Sequence, residues 1–174
     1  MKTKAQKQSE LKDAEALLKN SKSLLFADFG SVSAESLRML RREVSANGGS
    51  FLVLKKRLLN VLLKSKGIEY DVREFFGPVG TVFVSTDTQS SSAALFRFFR
   101  DLAGTDVKAR EVNVKKILGG YDLEGKAVMA RDEVMMLGTL PPREVLLGQL
   151  LGTLAGPIRS FLYVLSEQSK KVAN

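Results

Sequence analysis

The stretch SLLFADFGSVSAESLRMLRREVSANGGSFLVLKKRLLNVLLKSKG, residues 23–67, decides the fold. Its first seven residues, Ser23–Phe29, form a short apolar run closed by Gly30, which reads as a buried strand. Ser33 is then placed to cap a helix from Ala34 to about Asn47, with Leu37, Leu40 and Val44 on its apolar face and Gly48 and Gly49 ending it. Ser50–Leu54 reads as a second strand. A further helix runs to Lys66 with Leu58, Leu59 and Leu62 inward, stopped by Gly67.

Working outward, residues 2–20 read as a charged amphipathic helix with a narrow stripe of Leu11, Ala14, Leu17 and Leu18. Downstream, the turn GPVG at 77–80 leads into a third strand, TVFVST. Thr88 or Ser90 then opens a helix carrying Leu95, Phe96, Phe98, Phe99 and Leu102. Helices and strands alternate from the start, which predicts an α/β (α+β) layered N-terminal domain over residues 1–140. VKAREVNV (107–114) and KILGGYDL (116–123) read as two further strands, with a small subdomain at about 105–130 as one way to place them. Residues 131–139 read as helical. Pro141 and Pro142 suit a linker into the first turn of a last helix, so 141–174 is expected to be a projecting C-terminal helical spine.

The composition narrows the function. At 44% apolar residues the chain can build a core, which argues against disorder. It has no cysteine and no histidine, so disulfides, thiolate metal sites and the commonest general base are all missing. No metal site or cofactor is expected. The formal charge is +8, and residues 1–66 hold 14 of the 27 bases but only 6 of the 19 acids, so the whole excess falls there. Such a balance points to a polyanion. The first twenty residues show no apolar signal run, and a cytoplasmic location is the expectation.

The bases cluster. Arg38, Arg41 and Arg42 share the helix face opposite Leu37, Leu40 and Val44, as a solvated face or as an RNA contact. Lys55, Lys56 and Arg57 stand where a strand hands over to a helix. Cations there oppose the helix dipole at roughly 0.3–1 kcal/mol each, so a chain tuned for stability alone would place acids. A phosphate site explains them, against the alternative that they point to water. Lys2, Lys4, Lys7 and Lys64 extend the set to one candidate basic surface. Phosphate contacts carry no base sequence, so a folded RNA shape is the expected target.

Between Val145 and Leu165 the only charge is Arg159. Leu147, Leu150, Leu151, Leu154, Ile158, Phe161, Leu162 and Leu165 recur at helical spacing, and Pro157 is expected to kink rather than stop the helix. A core helix pair, a membrane-spanning tail and a spine covered by another protein's helices all fit the stripe. Arg159, Gln149 and Thr153 argue against the bilayer, where a central charge costs roughly 2.5–3.5 kcal/mol on insertion scales.

Three segments carry a resemblance to a known family: residues 27–67 as quoted above, FFGPVGTVFVSTD at 75–87, and LPPREVLLGQLLGTLAGPI at 140–158. In order and spacing they resemble large-subunit ribosomal protein ten of bacteria, with its L-R helix, its V-V-K-N-T-L junction, its F-x-G-P turn and its L-P-S-R-E-E-L entry to an apolar spine. The resemblance implies the base of the ribosomal stalk, a non-enzymatic role. Its N-terminal domain would bind the GTPase-associated region of large-subunit ribosomal RNA beside large-subunit ribosomal protein eleven. Its C-terminal helix would carry dimers of the acidic stalk protein (the seven/twelve protein), so that GTP-bound translation factors are recruited. By position, the family's RNA-facing residues fall on Gly30, Arg38, Arg41, Lys55, Lys56 and Arg57, and its spine on Gly148 through Val172. The family's Asn-Thr after the junction lysine is Lys56-Arg57 here, which exchanges hydrogen-bonding groups for charge. The spine is short for the family, which implies two stalk dimers rather than three. Two rivals are a small cytoplasmic enzyme using Asp28 with Lys55 or Lys56 on an anionic substrate, and a membrane-tethered basic adaptor. The enzyme lacks any Walker loop, dinucleotide fingerprint, metal cluster or nucleophile elbow.

Overall fold

The structure, a computed structural model, describes residues 4–30, 32–68, 70–102, 113 and 115–172. Six α-helices and five strands lie among them: α1 (Lys4–Lys19), β1 (Ser23–Asp28), α2 (Ala34–Ala46), β2 (Gly49–Val53), α3 (Lys56–Ser65), β3 (Val79–Val84), α4 (Thr88–Asp101), β4 (Ile117–Asp122), β5 (Ala127–Met129), α5 (Arg131–Thr139) and α6 (Arg143–Val172), with a 3-10 turn at Val72–Glu74. The chain divides into two compact units, Met1–Leu140 and Pro141–Asn174.

In the first unit the strands form one sheet, in the order β2-β3-β1-β4-β5, in which every neighbouring pair is antiparallel. β1 lies in the middle, which explains its unbroken apolar run: both of its faces are covered. Leu24 and Phe26 face a core built with Ala14 and Leu18 of α1 and Leu59, Leu62 and Leu63 of α3. The alternate residues, Leu25 and Ala27, face the other core with Leu40 and Val44 of α2, Leu95 and Phe99 of α4 and Val134 of α5. The period-two alternation of a strand thus feeds two helical layers from one segment.

The local signals act as their chemistry dictates. Ser33 caps α2, its Oγ accepting from the Ser36 amide at 3.1 Å. α4 differs from expectation: neither Thr88 nor Ser90 caps it. Asp87 does, accepting from the Gln89 and Ser90 amides. A carboxylate one residue upstream serves two orphan N–H groups, where a hydroxyl serves one. The strand expected at 116–123 exists as β4. It pairs along β1, with a register break between Phe26 and Ala27, and continues the main sheet into β5. The other expected strand, 107–114, lies outside the described residues apart from Asn113.

In the second unit α6 runs for 30 residues without a stop at Pro157. Its first turn begins on the Pro142 carbonyl, which accepts from the amides of Val145 and Leu146.

Candidate nucleic-acid interface and apolar helix

Three connections meet at one end of the sheet. β1 ends at Asp28 opposite the start of β3 at Val79, and β2 ends at Val53 opposite Gly80. The segments after β1, after β2 and before β3 are therefore neighbours, and this is where Gly30, Lys55, Lys56 and Arg57 sit. Lys55 is the N-cap residue of α3, no side chain caps that terminus, and the first turn holds no acid. Lys55 and Arg57 are exposed. Lys56 is half-buried, and its ammonium donates to the Phe75 carbonyl. It thus ties α3 to the segment before β3, and only part of its hydrogen-bonding capacity is left for a ligand.

That segment is held elsewhere too. The Phe29 amide donates to the Pro78 carbonyl at 3.3 Å. Gly77 takes φ +88°, a left-handed value that suits glycine, and a Cβ there would lie 2.9 Å from a carboxylate oxygen of Asp28. Asp28 also accepts from the Gly30 amide at 2.9 Å. The carboxylate considered for an enzyme is thus engaged by the Gly30 amide and leaves no room for a side chain at Gly77. A cleft of about 380 Å³ opens beside it, its apolar walls including Phe29, Val53 and Pro78, with Lys55 and Lys56 on its lining.

The arginine cluster approaches through aromatic rings. Arg41 lies over the Phe51 ring, 5.7 Å from its centroid, and Phe51 meets Phe29 edge-to-face at 6.3 Å. Phe29 in turn lines the cleft. Arg38 and Arg42 are exposed on the same helix. None of Arg38, Arg41, Arg42, Lys55, Lys56, Arg57 or Lys64 forms an ion pair among the described residues, where the pairs include Lys22–Glu124, Arg100–Asp101 and Lys170–Glu167. Lys64 lies in the last turn of α3, about 13 Å of helix rise from Lys55. Lys7 is half-buried on α1. Lys2 and the side chain of Lys4 lie outside what the structure describes.

The sequence reading missed the Arg41–Phe51–Phe29 relay and the Lys56–Phe75 tie. The relay joins residues of α2, β2 and the segment after β1, and the tie spans 19 positions, so neither leaves a local periodicity. Among the described residues no group of three or more acids could hold a metal ion.

In α6, Leu147, Leu150, Leu151, Leu154, Ile158, Phe161, Leu162 and Leu165 are all exposed, from 49% to 67%. At about 100° per residue they fall within a stripe about 120° wide. Gly148, Gly152 and Gly156 lie off the stripe, and a Cβ added at any of them meets nothing within 4 Å. By length and composition alone the helix could cross a membrane.

A basic end whose cations form no ion pair among the described residues, on an α/β unit, together with an exposed apolar helix, is the build of a structural scaffold. Comparison with known proteins narrows that class. Residues 2–100 match the family model of ribosomal protein L10, and residues 140–171 match that of the ribosomal protein uL10 C-terminal region. The large ribosomal subunit protein uL10 of Fusobacterium nucleatum is 37% identical over 147 residues, covering 84% of this chain and 82% of that one. The uL10 proteins of Thermotoga maritima (31% over 172 residues, 95% and 89%) and Geobacter metallireducens (31% over 160 residues, 92% and 86%) are similar along nearly the whole chain. The chain belongs to the ribosomal protein L10 (uL10) family, and is a structural protein of the large ribosomal subunit.

Proposed function

We propose that this chain is the base of the ribosomal stalk in the bacterial cytoplasm, with its two units binding two different partners. Residues 1–140 hold the GTPase-associated region of large-subunit ribosomal RNA, beside large-subunit ribosomal protein eleven. Residues 141–174 hold dimers of the acidic stalk protein, two of them, which recruit GTP-bound translation factors. The observation that carries the reading is the basic junction. Lys55, Lys56 and Arg57 stand at an uncapped helix N-terminus with no acid in its first turn and no described counter-charge. This arrangement opposes the helix dipole, and a phosphate backbone relieves it.

The Arg41 stack adds a guanidinium held by an aromatic ring and free to meet phosphate with its edge. Lys2, Lys4, Lys7 and Lys64 belong to the proposed surface as longer-range attraction. For the helix, covering each stripe side chain fully is worth roughly 1.5–3 kcal/mol, and an acidic helical partner supplies that cover.

RNA binding by the full chain across a salt series tests the first half. Lys55→Ala with Arg57→Ala should weaken binding to the ribosomal RNA fragment and reduce the slope of log affinity against log salt by about 0.9 for every duplex phosphate no longer neutralised. An unchanged slope would overturn the assignment of the junction.

A further inference from the structure

Phosphate binding alone leaves one residue at this end of the sheet unexplained. Phe76 is 95% exposed, the barest large apolar side chain among the described residues. A lone exposed aromatic on a loose loop needs no explanation, but this one sits on a fixed turn. The residue before it is tied to the base of α3, where the Lys56 ammonium meets the Phe75 carbonyl. The residue after it, Gly77, holds a left-handed φ with no room for a side chain against the Asp28 carboxylate, and the carbonyl of the next, Pro78, accepts from the Phe29 amide. Both flanks are thus pinned by groups of the same sheet end, while the ring between them touches little. The cations of that end, Lys55, Lys56 and Arg57, are one hydrogen bond away along the chain.

We infer that Phe76 is a stacking platform for an unpaired, splayed-out base of the bound RNA. Stacking suits a bare ring beside a backbone-binding cation cluster: the lysines and arginine hold the phosphates, and the neighbouring base, once unstacked, finds a π-face already in place. The turn carries the ordering cost in advance, so the stack adds affinity without immobilising a loop. The inference rests on the proposed RNA-binding reading and adds a base contact to a site otherwise built for backbone.

The test uses the full chain and the same RNA fragment. Phe76→Ala should lower affinity about 5- to 150-fold, the range of one stacked base, with the salt slope unchanged because every phosphate keeps its cation. Phe76→Trp should keep the affinity. The chain contains no tryptophan, so the introduced indole is a sole reporter, and its emission should be quenched on adding RNA. Affinity of Phe76→Ala within twofold of the parent, or an indole emission indifferent to RNA, overturns the stacking role. A Phe76→Ala chain that binds RNA normally but no longer binds protein eleven overturns it in favour of a protein contact. Failure of the underlying reading looks different: the parent chain itself would then bind RNA without salt dependence, and the Lys55/Arg57 substitutions would change nothing.

Discussion

Tyr70 shows how a single side chain couples the fold to pH. It stacks on Phe26 at 5.0 Å and 11°, and its ring also meets Phe75 and Tyr121. Burial first, and the nearby Glu74 carboxylate second, push its phenol above the ordinary value of 10.0. The folded state therefore favours the neutral form, while the unfolded chain ionises at the ordinary value. The stabilisation from this residue is complete below about pH 10 and is lost as pH rises through the folded pKa. Thermal melts from neutral pH to about pH 11 should show a steeper alkaline fall in Tm for the parent than for Tyr70→Phe. Parallel curves would contradict the assignment. At the same scale, Ser33 was legible as a cap because its partner is three residues away, whereas the close approach of Gly77 to Asp28 and the Lys56 tie to Phe75 join positions brought near only by the sheet.

At the scale of elements, a glycine dictates how closely α4 and α5 approach. A Cβ at Gly138 would lie 2.8 Å from the Cβ of Phe96 and 2.9 Å from the Ser92 carbonyl oxygen. Neither atom is the end of a flexible chain, so one helix must move. Gly138→Val should destabilise the unit by about 1–3 kcal/mol. Calorimetry should register a Tm lower by roughly 2–12 °C, and an unchanged Tm would show that the helices separate freely. The sequence made α2, α3 and α4 plain because apolar periodicity is local, and in α2 the Ser33 cap is local too. It hid β5, whose three residues carry no alternation long enough to read and are strand only because β4 lies alongside. It also left the place of β4 open, since pairing with β1 is set by chain topology rather than by any residue in 117–122.

For the whole molecule, the charge excess of the first 66 residues and the stripe of α6 were both visible in the sequence, because each is a matter of composition and spacing. What composition could not supply was the arrangement at the sheet end. There Arg41 reaches the cleft through Phe51 and Phe29, while Lys64 remains at the far end of its helix. In α6, three interior glycines and a proline weaken the helix, each glycine by roughly 0.5–1 kcal/mol relative to alanine. On the proposed division of labour, RNA on the first unit and acidic dimers on the second should bind independently of each other. Native mass spectrometry of the full chain mixed with the acidic stalk protein and the ribosomal RNA fragment tests this most directly. The parent should carry one RNA and four stalk copies, and a Leu151→Asp, Leu162→Asp chain should shed the stalk copies and keep the RNA. Six stalk copies on the parent, or release of both partners from the substituted chain, would contradict it.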